Sequence, residues 1–238
     1  MKSVVAVIAS ACLAVIAGSA QAVVITDCCD WATGWTFSSY GVGTGTASAV
    51  VEATGGNPGA RLNITTHTAT VADAAFGTAV LTTSGTPAPT SGAAFTLNID
   101  ALSGAGAFGQ GQAIQLLVAQ GGSVYALSLG ITGFPLSTFT TLTFNGNFNA
   151  GSFLRISGAG PATPSFDGVT ATTYGFAAGN TGSGDLTQYY DNFRLAIPSI
   201  GAPPPVVSQI PTLSEWAMLA LMLLLAGFAA RAIARRGP

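Results

Sequence analysis

From Val23 to about Pro198 the chain runs in short stretches of β-branched, aromatic and aliphatic residues, separated by clusters of Gly, Pro, Asn and Ser. Several stretches alternate with period two, the mark of a strand with one face buried. Phe95, Leu97 and Ile99 share one face, with Thr96 and Asn98 on the other. Tyr125, Leu127 and Leu129 repeat the pattern around Ala126 and Ser128, as do Leu142 and Phe144. In 112–120 the spacing of Ile114, Leu116 and Val118 fits a strand better than a helix. Further predicted strands cover 35–40, 46–52, 61–66, 79–83, 152–156, 169–176 and 189–197. Gly121-Gly122 predicts a tight hairpin, because glycine tolerates the positive φ such turns require, and Asn145-Gly146 reads as a second turn. No stretch in this region keeps helical periodicity for three turns. About ten strands with frequent turn signals predict an all-β fold, one antiparallel β-sandwich of jelly-roll type.

The two ends follow different patterns. Lys2, an apolar run from Val4 to Ala17 and the small-residue end Gly18-Ser-Ala-Gln-Ala22 predict a secretory signal peptide, a helix cleaved after Ala22. At the other end, residues 199–209 (Ser-Ile-Gly-Ala-Pro-Pro-Pro-Val-Val-Ser-Gln) read as an extended spacer. The chain then runs Ile210-Pro211-Thr212-Leu213-Ser214-Glu215-Trp216 into an apolar stretch to Ala230, followed by Arg231, Arg235 and Arg236. Arg231 can snorkel, so the helix reaches spanning length, with Trp216 as interfacial aromatic and the arginines marking the cytoplasmic end. The predicted organisation is therefore a signal peptide (1–22), a β-sandwich (23–198), a Pro-rich spacer (199–209) and a terminal transmembrane signal (210–238).

Charge narrows the function. Only 7% of the 238 residues are charged. Between the ends the basic residues are Arg61, Arg155 and Arg194, against Asp27, Asp30, Glu52, Asp73, Asp100, Asp167, Asp185 and Asp191. Such a surface cannot neutralise phosphates, which excludes nucleic acid as a partner. Cys28 and Cys29 are adjacent; in an oxidising compartment they can join each other in a strained vicinal ring or pair between chains. With one distant His they do not make a zinc site.

Candidate chemistry is sparse. Gly104-Ala-Gly-Ala-Phe-Gly109 matches G-x-G-x-x-G, but the following stretch reads as a strand and no acidic residue sits near twenty positions on, so it reads as a Gly-rich loop. His67, between Thr66 and Thr68, reads as a solvent-facing strand residue, and no G-x-S-x-G elbow accompanies it. Trp31, Trp35 and Tyr40 fit either a core cluster or a sugar-stacking platform. In 189–197, alternation places Tyr189, Asp191, Phe193, Leu195 and Ile197 on one face. Asp191 thereby has core parity, and a buried carboxylate needs a partner. The options are backbone N–H groups, Arg155, or a structural Ca²⁺ with Asp27 or Asp30 as co-ligands.

The tail resembles a known family. Its motif at 210–216, hydrophobic helix and basic end closely resemble the IPTL-CTERM protein-sorting signal, similar in layout to PEP-CTERM signals of Gram-negative bacteria. The resemblance implies recognition by an exosortase-type membrane transpeptidase, inner-membrane anchoring during transit with the β domain outside, and delivery to the cell surface or matrix. Ala217 departs from the Gly usual after the Trp. Pro211 removes a backbone donor and biases Ile210 toward an extended form that a processing enzyme can grip. Gly55–Leu62 and Tyr190–Leu195 resemble the early and final strands of exported bacterial jelly-roll domains, which are similar to carbohydrate-binding and laminin-type modules. Three functions follow in order: a non-enzymatic structural or adhesive surface protein, a carbohydrate-binding module with surface polysaccharide as partner, and a glycan-active hydrolase.

Overall fold

The computed structural model describes residues 21–27, 31, 33–82, 85–106, 112–131 and 137–200. They form thirteen strands and one short 3-10 turn: β1 (Gln21–Asp27), β2 (Trp35–Val42), β3 (Thr46–Gly56), β4 (Gly59–Thr68), β5 (Ala74–Leu81), β6 (Thr86–Pro87), β7 (Ala94–Gly106), β8 (Gln112–Gln120), β9 (Ser123–Ile131), β10 (Thr140–Asn147), the turn Ala150–Ser152, β11 (Leu154–Ser157), β12 (Ala171–Asn180) and β13 (Gly184–Ile200). All pairings are antiparallel, in two sheets. The first sheet has the order β10-β7-β13-β4-β3 with β1 also on β13; the second has β11-β9-β8-β12-β5-β2 with β6 also on β12. The expected antiparallel sandwich is therefore the fold.

The core lies between the sheets. Phe95, Leu97 and Ile99 of β7, Ile114, Leu116 and Val118 of β8, and Tyr174 and Phe176 of β12 meet there. Their predicted parity holds, and the rings interlock: Phe176 sits 5.3 Å from Tyr190 and 5.8 Å from Phe193. Gly121 and Gly122 close the β8–β9 hairpin, both with positive φ, as expected.

Other expectations need correction. Asn145 and Gly146 are not a turn; they pair with Thr96 and Phe95 inside β10. Gly146 is there because a Cβ would lie 2.7 Å from the Phe95 ring. Strand β5 begins at Ala74 rather than Ala79, since Ala74-Ala-Phe-Gly-Thr-Ala79 has little intrinsic strand preference and owes its conformation to burial. The strand expected over 152–156 starts at Leu154, behind the turn at 150–152, and the one over 169–176 starts at Ala171. Gly104 and Gly106 end β7 rather than forming a loop. Strand β1 was not expected, although Val23-Val-Ile-Thr26 is a β-branched run. The expected signal peptide up to Ser19-Ala20, Asp30, both Cys28 and Cys29, and the whole 210–238 tail lie outside the described residues. Among the described residues no helix is long and apolar enough to cross a membrane.

The final strand carries the sharpest correction. Tyr189 does not share the core face with Phe193; Tyr190 does, fully buried. A bulge at Asp191–Asn192, where the register shifts and Asn192 has φ 50°, resets the alternation.

Candidate functional site

That bulge organises a polar knot. Asp191 is fully buried, as expected. Its Oδ2 accepts the Asn57 backbone N–H, and its Oδ1 accepts that of Asn192 at 2.8 Å. Asn57 Nδ2 donates to Asp100 Oδ2 at 3.2 Å, and Asn192 Nδ2 donates both to that oxygen at 2.8 Å and to the Asn57 carbonyl at 2.6 Å. Thr141 donates to the other Asp100 oxygen. The two stretches that resembled jelly-roll strands, 55–62 and 190–195, thus meet side by side. Backbone N–H groups supply the partner, while Arg155 lies elsewhere and donates to the Gly160 and Pro161 carbonyls. Asp27 pairs its backbone with Phe193. Among the described residues no three His, Cys, Asp or Glu side chains are grouped to hold a metal.

Burial first, and Asp100 second, push the Asp191 carboxyl above the usual carboxylate range, against the pull of the two N–H donors. A carboxyl raised in this way holds its proton more firmly folded than unfolded. Its contribution therefore favours folding below the ordinary carboxylate pKa and is withdrawn as pH rises through the folded value. Asp191→Asn is expected to flatten this part of the profile in urea unfolding midpoints measured from pH 3 to 7. Parallel profiles for the two proteins would show that folding does not shift the Asp191 carboxyl.

The knot is closed to ligands; the outer face of the second sheet is not. Along β8, Ile114, Leu116 and Val118 face the core, yet Ala113 and Leu117 on the opposite side are also buried. They form a second apolar cluster with Phe76, Ala126 and Ala177. A sheet buries its outward side chains without a covering layer when it curls around them. On β12, Gly175 and Gly179 face this side; a Cβ on either would lie 2.0 Å from a carbonyl oxygen of β5, Ala79 or Ala75 respectively. The sheet is folded too tightly here for any side chain. On this outer face a groove of about 300 Å³ runs from Thr36, Ser38 and Tyr40 on β2, past Thr78 and Val80, to Val124 and Ile156.

Tyr40 defines one wall. Its ring stacks on Phe76 with centroids 4.9 Å apart and planes 10° from parallel, and its hydroxyl donates to Gln115 Oε1. Burial pushes that hydroxyl far above the usual phenol range, so Tyr40 stays neutral and donating. The lining is hydroxyl and aliphatic, without a charged side chain. Hydroxyls and amides both donate and accept, which suits a neutral, hydroxyl-rich ligand, whereas an ionic one would lose its hydration without a counter-charge.

The three aromatics read together in the sequence separate in the fold. Trp31 is 1% exposed, 5.0 Å from Trp35 and 5.7 Å from Phe176, and Trp35 lies edge-on to Phe193 at 5.4 Å. These two belong to the core; Tyr40 alone reaches the groove. His67 is exposed, as expected, and bonds through Nδ1 to Asp185 on the neighbouring strand, in a shallow site on the first sheet. Gln115, Phe76 and the two glycines were missed; the one local signal was the unbroken run Leu116-Leu117-Val118, which marks a strand apolar on both faces.

Beyond the sandwich, the tail carries the order of motif, apolar stretch and arginines described above, and a family model matches it there. Residues 209–236 are an IPTL-CTERM motif. It follows the sandwich and points to an exported protein with a C-terminal sorting signal. No curated protein matches the chain. Among solved structures, the sandwich that precedes the IPTL-CTERM motif is similar to a Family 11 Carbohydrate-Binding Module from Clostridium thermocellum, in complex with a beta-1,3-1,4-mixed-linked tetrasaccharide (15% identity, 76% of this chain and 98% of that one, TM-score 0.43). It is also similar to the CBM22-1 xylan-binding domain from Paenibacillus barcinonensis (10% identity, 77% and 98% covered, TM-score 0.39). The mannan-recognising module TmCBM27 is a third (12% identity, 75% and 99% covered, TM-score 0.39). At TM-scores below 0.5, none of these likenesses carries a ligand over to this chain.

Proposed function

We propose that this is an exported surface protein whose β-sandwich, of jelly-roll type, binds a neutral glycan in the concave groove of its second sheet. The observation that carries this reading is the groove, walled by Tyr40 stacked on Phe76 and lined by hydroxyl and aliphatic side chains without charge. The IPTL-CTERM motif supports export and sorting. In this reading residues 1–22 are a signal peptide cut after Ala22. The regular pairing of β1 supports that site, since its register shift falls between Gln21 and Val23 and the strand runs without a break from Val23 onward. The spacer at 199–209 holds the sandwich clear of the inner membrane. The helix beyond Trp216 keeps the motif at 210–216 within reach of an exosortase-type transpeptidase, with Arg231, Arg235 and Arg236 on the cytoplasmic side.

Binding without hydrolysis fits the lining best. Glycoside cleavage needs two carboxylates flanking the bond, and Ser, Thr, Tyr and aliphatic side chains supply none. Tyr40→Ala removes the wall and leaves Gln115 without its donor. It is expected to weaken binding of a neutral polysaccharide about tenfold, or roughly 1.4 kcal/mol. Affinity electrophoresis of the full chain through gels containing the polysaccharide reads the change, and an unaltered retardation would remove Tyr40 from the site.

A further inference from the structure

We propose that the free edge of β10 is where two copies of this chain join, their first sheets continuing into one another around a two-fold axis through Thr143. The inference is independent of the glycan reading and uses the opposite side of the sandwich from β2.

A strand edge with unpaired N–H and C=O groups pairs with another edge unless something blocks it, usually charge, proline, a bulge or a covering segment. Edge strands β3 and β11 carry charge: Glu52, paired with Arg61 at 2.6 Å, and Arg155. Among the described residues, strand β10 carries no charge, proline or bulge. It pairs with β7 from Thr140 to Asn147 without one register shift, and it ends its sheet. Between Asp100 and Arg155 the sequence contains no Asp, Glu, Lys, Arg or His.

Neutrality matters because of who the partner is. In an isologous contact every residue near the axis meets its own copy, so a single charge repels itself; an edge with no charge is compatible with itself. Side-chain parity then fixes the register. Leu142 and Phe144 face inward, half-buried against the core, while Thr141, Thr143 and Asn145 face out, exposed. Centring the axis on Thr143 sets Leu142 opposite Phe144 of the second copy, and Thr141 opposite its Asn145. Apolar then meets apolar and polar meets polar. A shift by one residue would bring apolar against polar throughout.

The neighbouring sheet leaves room for those inward side chains. Strand β11 covers β9 only at Val124, Tyr125 and Ala126, so β9 from Leu127 onward has no second partner among the described residues. A cleft of about 530 Å³ opens between that half of β9 and β10, with Leu127, Leu129 and Phe144 in its wall. The second copy's Leu142 and Phe144 would enter it.

The test is disulfide trapping in the full chain carrying Cys28→Ser and Cys29→Ser. Residues directly opposite on antiparallel strands have Cα atoms about 4.5–5.5 Å apart, within reach of a disulfide. Thr143→Cys is expected to give a covalent dimer on non-reducing gels. Thr141→Cys and Asn145→Cys should give little singly and a dimer when combined, since each then faces the other across the axis. Thr65→Cys, exposed on β4, should stay monomeric. Failure of Thr143→Cys to cross-link, or cross-linking at Thr65 to the same extent, overturns the proposal. So does a combined variant that links no better than its single parents.

Discussion

Gly175→Val is expected to destabilise the sandwich by about 3 kcal/mol or more, the upper range for an overpacked site, because the side chain meets backbone that cannot step aside. The position a Cβ would take lies 2.0 Å from the Ala79 carbonyl oxygen and 2.8 Å from Val80 Cα. Gly121 is the internal comparison. It sits in the β8–β9 turn with φ 55° and nothing within 4 Å of a would-be Cβ, so Gly121→Ala pays only for its backbone conformation, about 1 kcal/mol. Urea unfolding of both variants, with equal slopes, separates the two effects. Equal losses would mean that the backbone around Gly175 has room for a side chain.

Replacement of Ile210–Leu213 by Gly and Ser is expected to abolish C-terminal processing and leave the uncleaved precursor in the inner membrane. The proline removes one backbone donor and biases the preceding residue toward an extended form, and Gly/Ser loses both that bias and the apolar side chains. The apolar stretch and the arginines remain in this variant, so anchoring and processing are read apart. Fractionation and the size of the chain on gels give the answer. A variant processed and surface-exposed like the parent would place recognition elsewhere in 209–236, with Ala217–Ala230 the next stretch to examine.

How far these features were legible in the sequence depends on whether their cause was local. Period two in Phe95–Ile99 and Ile114–Val118 marked core faces correctly, although Leu117 on the outward side of β8 is buried as well. The Gly121-Gly122 hairpin was equally legible, as its two positive φ angles are set by the turn itself. Asn145-Gly146 looked the same but serves a contact with Phe95 on the next strand, which no local pattern records. The core parity of Asp191 was legible by counting back from Phe193, Leu195 and Ile197. Alternation missed the bulge, which puts Tyr190 rather than Tyr189 in the core, and the loop at Asn57 that supplies a partner from far away in the chain. Strand β5 was half missed because Ala and Gly have weak strand preference and β5 is held by neighbours on both sides. The groove was the least legible feature. Tyr40 was grouped with Trp31 and Trp35 by proximity in sequence, yet the pleating of β2 sends Trp35 inward and Tyr40 outward, and Trp31, ahead of the strand, packs into the core. The groove's lining is drawn from β2, β5, β9 and β11, strands far apart in the sequence.

Binding of the purified full chain across a panel of neutral and acidic polysaccharides tests most directly whether the groove beside Tyr40 receives a neutral glycan. Retention by at least one neutral polysaccharide is expected, none by polyuronates or sulfated chains, and loss of retention in Tyr40→Ala. Retention by acidic polysaccharides alone, or by none of the panel, would contradict it.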